Sequence, residues 1–152
     1  MNVVRLKVRP MTREAFAPFG VLIDSRGSVE IDLGEGKPSL TGATSERRPY
    51  SFDFMARHKR TMQVFSPLAS SQFVIAVAPP NDSGAPDVDR VVAFLVEGVL
   101  PYAYHRGTWH TPPFPVKEWA SYLVVDRAGT LDDDWELVDL KVTRQTVFEI
   151  DV

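Results

Sequence analysis

Phe73-Val74-Ile75-Ala76-Val77-Ala78, the loop Pro79-Pro80-Asn81-Asp82-Ser83-Gly84, and then Val91-Val92-Ala93-Phe94-Leu95-Val96 decide the fold. Both apolar runs have strand length and are too short for a buried helix. Neither alternates with polar residues, so each is expected to be buried on both faces. The proline-rich loop between them permits no regular structure. Two such strands at the centre of a chain require further strands around them.

Working outward, the predicted strands are Val3–Val8, Val21–Asp24, Tyr50–Met55, Met62–Phe65, Ala120–Val125, Trp135–Leu140 and Thr146–Ile150, while Tyr102–His105 leads into a polar segment. One short helix is predicted near the start, with Thr12 as N-cap, Glu14 in its first turn and Gly20 at its close. From Ser25 to Pro49, glycines and prolines interrupt every period, so a long loop is expected, with one short strand near Val29–Ile31. Pro112, Pro113 and Pro115 are expected to forbid regular pairing, and Asp132-Asp133-Asp134 to form a solvated turn. About ten short strands at this spacing predict an antiparallel β-sandwich or jelly-roll barrel over residues 1–152, as one domain. Barrels of that kind carry ligand sites on inward-facing side chains.

Composition narrows the function. The 152 residues are 44% hydrophobic and 24% charged, with no cysteine, which excludes thiolate catalysis and Cys-ligated zinc. The net charge of −3 gives no basic face for nucleic acid. No apolar run approaches the ~18 residues of a membrane span, and the charged N-terminus does not suit a signal peptide, so a cytoplasmic protein is expected.

Only three histidines are present. Two lie in Tyr104-His105-Arg106-Gly107-Thr108-Trp109-His110-Thr111-Pro112, and the third in Arg57-His58-Lys59-Arg60-Thr61-Met62-Gln63. These two segments are expected to meet. His105 and His110 are five apart and would face opposite ways in a straight strand, but Gly107 permits a bend. The three imidazoles suit acid–base catalysis, or ligation of a divalent metal by His58, His105 and His110. A structural role for any one of them stays equally open. Arg57 and Arg106 are candidate carboxylate clamps, and Gln63 a candidate partner for an amide or carbonyl. Trp109 is a core aromatic first and a ligand platform second. Asp126-Arg127 is read as an internal ion pair.

Four blocks resemble the ureidoglycolate lyase family, whose older name is ureidoglycolate hydrolase. They are Thr12–Gly20, Arg57–Leu68, Ala93-Phe94 with Tyr104–His110, and Leu123–Arg127. Where that family usually carries Glu before Arg-His, Asn before Tyr-His and Asp before the last block, this chain has Ala56, Ala103 and Ser121. The resemblance implies a cupin-like barrel, usually a homodimer, in allantoin (purine nitrogen) degradation. The implied reaction cleaves the C–N bond of ureidoglycolate, a ureido carboxylate, to glyoxylate and urea. It also implies metal assistance by Ni, Mn or Zn as an alternative to imidazole acid–base chemistry. His58, His105 and His110 are then the catalytic candidates. Arg57, Arg106, Gln63 and Trp109 are candidates for binding the substrate. Another metal-dependent cupin enzyme, or a non-catalytic binding module of the same fold, are the competing readings.

Overall fold

The computed structural model describes residues 1–24, 27–98 and 100–152. In chain order the elements are β1 (Asn2–Pro10), α1 (Arg13–Phe16), β2 (Gly20–Leu22), β3 (Pro38–Glu46), β4 (Ser51–Phe52), β5 (Phe54–Arg57), β6 (Gln63–Leu68) and β7 (Phe73–Ala78). Then come a short 3-10 turn (Val88–Arg90), β8 (Val92–Val96), β9 (Tyr102–Tyr104), β10 (Trp109–His110), β11 (Phe114–Pro115), β12 (Trp119–Arg127), α2 (Thr130–Asp133), β13 (Glu136–Asp139), α3 (Leu140–Arg144) and β14 (Thr146–Asp151).

Two sheets form. The larger runs β13-β5-β10-β7-β8-β1-β14-β4, with β11 also pairing with β7; the smaller runs β2-β9-β6-β12-β3. As its composition predicts, β7 is buried throughout. Phe73, Ile75 and Val77 face a core between the sheets, shared with Phe16, Phe65, Phe94, Tyr102 and Tyr122. Val74, Ala76 and Ala78 face a second core on the other side, with Phe52, Met55, Trp109, Phe114 and Phe148. One strand thus supplies both apolar layers, because alternate side chains leave a strand on opposite faces.

The predicted helix is present, and the Thr12 hydroxyl accepts from Ala15 N at 3.2 Å. The helix ends at Phe16 with Ala17 as C-cap, so Gly20, expected to close it, instead opens β2. A Cβ there would lie 2.0 Å from the Ala103 carbonyl oxygen, so only glycine lets β2 approach β9 this closely.

Several expectations are corrected. The nine-residue strand β3 lies inside the predicted 25–49 loop, paired along its full length with β12, and Val29–Ile31 forms no strand. Propensity missed β3 because its Pro, Gly, Ser and Thr residues are poor strand formers, and long-range pairing supplies what they lack. The loop expected at Ser25 and Arg26 lies outside the described residues. Despite its prolines, the 112–115 stretch does pair: Phe114 and Pro115 lie opposite Val74 and Phe73 at the sheet's margin, where a proline can stand. The barrel is not wholly antiparallel, since β1 runs parallel to both β14 and β8. The predicted solvated acidic turn is partly the helix α2, and Asp134 is buried. Leu140, read as the end of a strand, opens the helix α3 (Leu140–Arg144), capped by Asp139.

A tight turn carries the chain from β6 to β7. Ser71 N donates to Leu68 O at 2.9 Å, and both central residues, Ala69 and Ser70, have left-handed φ values of 51° and 55°. Side chains with a Cβ pay about 1 kcal/mol or more for that region. Ser70→Gly is therefore expected to raise stability by about 0.5–1 kcal/mol in guanidinium unfolding. An unchanged midpoint would show that the turn holds no such strain. The whole is an all-β, cupin-like barrel with a short N-terminal helix.

Candidate active site

A cavity of about 380 Å³ opens between the two sheets, at the end where β5, β10, β6 and β12 converge. Alternation decides what reaches it. On β5 and its continuation, Ala56 and His58 line the cavity while Arg57 points away. On β6, Gln63 and Phe65 line it; on β12, Tyr122, Val124 and Asp126 do so. His110 on β10 lies opposite Ala56, and Gly107 N donates to His58 O at 2.7 Å. The two histidine-bearing segments therefore meet, as the sequence predicts.

The two imidazoles stand with ring centroids 5.7 Å apart. His110 stacks on Tyr104, 4.2 Å between centroids and 14° from parallel. His110 Nδ1 lies 3.0 Å from the Thr108 carbonyl oxygen, and His58 Nδ1 lies 2.6 Å from that of Asp134. A carbonyl only accepts, so each Nδ1 carries a hydrogen, and in the neutral ring Nε2 keeps its lone pair. Neither Nε2 has a protein partner among the described residues. Burial pushes the His110 pKa down to about 4; the Thr108 carbonyl opposes this and nearby His58 adds to it. At neutral pH His110 is thus an uncharged acceptor.

Gln63 Nε2 donates to Asp126 Oδ2 at 2.9 Å, which fixes the amide's orientation because a carboxylate cannot donate. Its Oε1 is buried and has no donor. Thr111 Oγ1 accepts from Ala76 N at 3.1 Å, leaving the hydroxyl hydrogen available.

Asp134 holds this end of the barrel together. Its Oδ1 accepts from Lys59 N at 2.9 Å, and its Oδ2 from Arg60 N at 2.8 Å and from Thr130 Oγ1 at 3.0 Å. Burial alone would raise its pKa, but the two backbone N–H groups, the Thr130 hydroxyl and nearby His58 together hold it below the usual carboxylate range. Asp126 and Arg127 do not pair with each other: Asp126 accepts from Gln63, while Arg127 is bonded to Asp133 on the helix that follows.

The remaining sequence candidates lie elsewhere. His105 follows the end of β9, exposed, with Nε2 3.2 Å from the Ala17 carbonyl oxygen, so the turn at Gly107 sends it and His110 to different sheets. Arg106 pairs with Asp32 at 2.9 Å. Arg57 pairs with Glu136 at 3.1 Å and lies 4.6 Å from the Trp109 ring centroid. Trp109 itself is buried in the second core, its Nε1 donating to Gly84 O at 3.1 Å. Among the described residues no three His, Asp or Glu side chains converge as a metal site. Two imidazoles fall short of the three protein ligands usual for a catalytic zinc.

The sequence reading missed Asp126 and Asp134 as parts of the site. Asp126 carried a signal, since it continues the two-residue period of Tyr122 and Val124. Asp134 carried none, because the two backbone N–H groups it accepts from lie more than 70 residues away.

The family model described as ureidoglycolate lyase matches residues 32–146. Ureidoglycolate lyase of Pseudomonas paraeruginosa (strain DSM 24068 / PA7) is 33% identical over 145 residues, covering 82% of this chain and 85% of that protein. The protein of the same name from Pseudomonas fluorescens (strain SBW25) is 35% identical over 145 residues, covering 82% and 86%. The matched segment contains every residue that lines the cavity, from Thr41 to Trp135. Both by that segment and by the length of the matches, the chain belongs to the ureidoglycolate lyase family.

Proposed function

We propose that the protein is a carbon–nitrogen lyase that cleaves ureidoglycolate to glyoxylate and urea in the cavity of His58 and His110. The observation that carries this is the imidazole pair, 5.7 Å apart, each tethered through Nδ1 and offering Nε2 to a ligand. Ureidoglycolate bears a hydroxyl, a carboxylate and a ureido nitrogen on one carbon. Neutral His110 takes the hydroxyl proton, the C–O bond becomes a carbonyl and the C–N bond breaks. The electron pair leaves with the urea nitrogen, which takes from His110 the proton that the hydroxyl gave up, while His58 Nε2 accepts a hydrogen bond from the ligand. Proton donors and acceptors of this kind contribute about 10²–10⁴-fold. Gln63 Oε1 accepts a urea N–H, and the Thr111 hydroxyl and Thr41 meet the carboxylate. His105, Arg57, Arg106 and Trp109 support the barrel around the site in this scheme. No step is routed through a metal.

Purified protein is expected to release glyoxylate from ureidoglycolate above the spontaneous rate, and to keep doing so after chelation. Release at the spontaneous rate, with or without added Ni²⁺ or Mn²⁺, would overturn the proposal. The non-catalytic reading is favoured by one observation: Ala56, on the cavity wall opposite His110, offers no functional group. Activity that arises only in Ala56→Glu would decide for it. We further propose a cytoplasmic homodimer acting in allantoin degradation. The exposed outer edge of β3, with Leu40 solvent-facing, supports a contact between copies. No helix among the described residues is long and apolar enough to cross a membrane.

A further inference from the structure

The cavity's inner end, with its imidazoles and amide, accounts for only part of its lining. Its mouth is formed by Leu131 on α2 and Trp135 just before β13, which line the cavity yet remain 68% and 55% exposed. Pro112 and Pro113 line the same cavity. Arg48 fixes that stretch: its guanidinium donates to the carbonyls of Pro112 and Pro113 and lies 3.9 Å from the Phe114 ring centroid. The apolar mouth is therefore built on a braced segment.

Two further features bear on what fits. Among the described residues no Arg or Lys lines the cavity, whereas Asp126 does, so added negative charge on a ligand finds no cation there. Gln63 lines the cavity with a buried amide oxygen that has no donor, while one N–H of the same amide is spent on Asp126. Such an oxygen calls for an N–H from a ligand, since an unmatched buried acceptor is unfavourable. The volume of about 380 Å³ falls in the range of sites that hold ligands much larger than a small hydroxy acid, roughly 300–1,000 Å³.

We infer that the mouth is a subsite for an apolar substituent on the ligand's distal ureido nitrogen, so that the protein takes N-alkyl or N-aryl ureido compounds. The nitrogen that Gln63 Oε1 binds keeps its hydrogen. The substituent extends outward between Pro112–Pro113 and the Leu131–Trp135 pair, covering apolar surface that otherwise faces water. The inference rests on the lyase reading for which end of the ligand reacts, but its test is read by binding alone.

Methylurea and benzylurea are titrated into the isotope-labelled full chain, and dissociation constants are taken from NMR shifts. Benzylurea is expected to bind at least tenfold more tightly than methylurea. In Leu131→Ser/Trp135→Ser that ratio is expected to fall below threefold; both side chains are largely exposed, so the barrel tolerates their loss. Equal affinities for the two ureas in the wild type would overturn the subsite. So would a preference that survives the double substitution. Benzylurea preference without glyoxylate release from ureidoglycolate would leave the subsite standing and remove the lyase chemistry. Glyoxylate release without the preference would do the reverse.

Discussion

His110→Phe is expected to reduce glyoxylate release by about 10²–10⁴-fold while leaving the barrel folded. Phenylalanine keeps a ring against Tyr104, where the imidazole now stacks at 4.2 Å, so packing is largely preserved and proton transfer is not. Full activity in the variant would take His110 out of the chemistry. The same variant should alter the pH dependence of stability. Folded His110 has a pKa near 4, against 6.5 for an ordinary imidazole, chiefly because it is buried. As pH falls from about 6.5 to 4, the unfolded chain binds a proton that the fold refuses, so stability is present above 6.5 and drains away toward 4. A shift of that size corresponds to roughly 3 kcal/mol. Guanidinium unfolding at several pH values should show a flatter profile for His110→Phe than for the wild type over this window. Urea is unsuitable as denaturant, because it is also the expected product. Parallel profiles would mean that the imidazole titrates alike in both states.

Asp134→Ala is expected to cost about 3–5 kcal/mol, from three donors left without an acceptor at roughly 1–3 kcal/mol each, partly relieved by water. Those donors are Lys59 N, Arg60 N and the Thr130 hydroxyl. Asp134→Asn keeps one good acceptor and should fall between. The Asp134 carbonyl also anchors His58 Nδ1 at 2.6 Å, so loosening this loop should lower glyoxylate release even where the variant remains folded. A loss under 1 kcal/mol, with unchanged activity, would show that water replaces the carboxylate fully.

How much of this could be read from the chain depends on the range of the interactions involved. β7 and β8 were legible because their burial is written into consecutive apolar residues. α1 was legible because its cap, Thr12, lies three residues from the Ala15 N–H that donates to it. β3 was not, because its Ser, Thr and Gly residues pair with β12 75 to 87 residues on, and nothing local announces that. The meeting of the two histidine segments followed from their shared scarcity and polarity. That His110 and His58 share a cavity while His105 faces outward depends on which sheet each strand joins. A two-residue period cannot specify this across a turn. Arg57 shows the same limit at shorter range: it neighbours His58 in sequence, yet alternation turns it onto Glu136 and Trp109.

The parallel pairing of the first strand with the last has a consequence for biosynthesis. Asn2 lies opposite Thr146, so β1 cannot complete its ladder until Thr146–Asp151 has left the ribosome. At about 5–20 residues per second that wait is roughly seven to thirty seconds. During it, the β14-facing edge of β1 is open to any other strand, including one from a neighbouring nascent chain. The charged side chains of Arg5, Lys7 and Arg9, spaced along β1, make such premature pairing between copies electrostatically unfavourable.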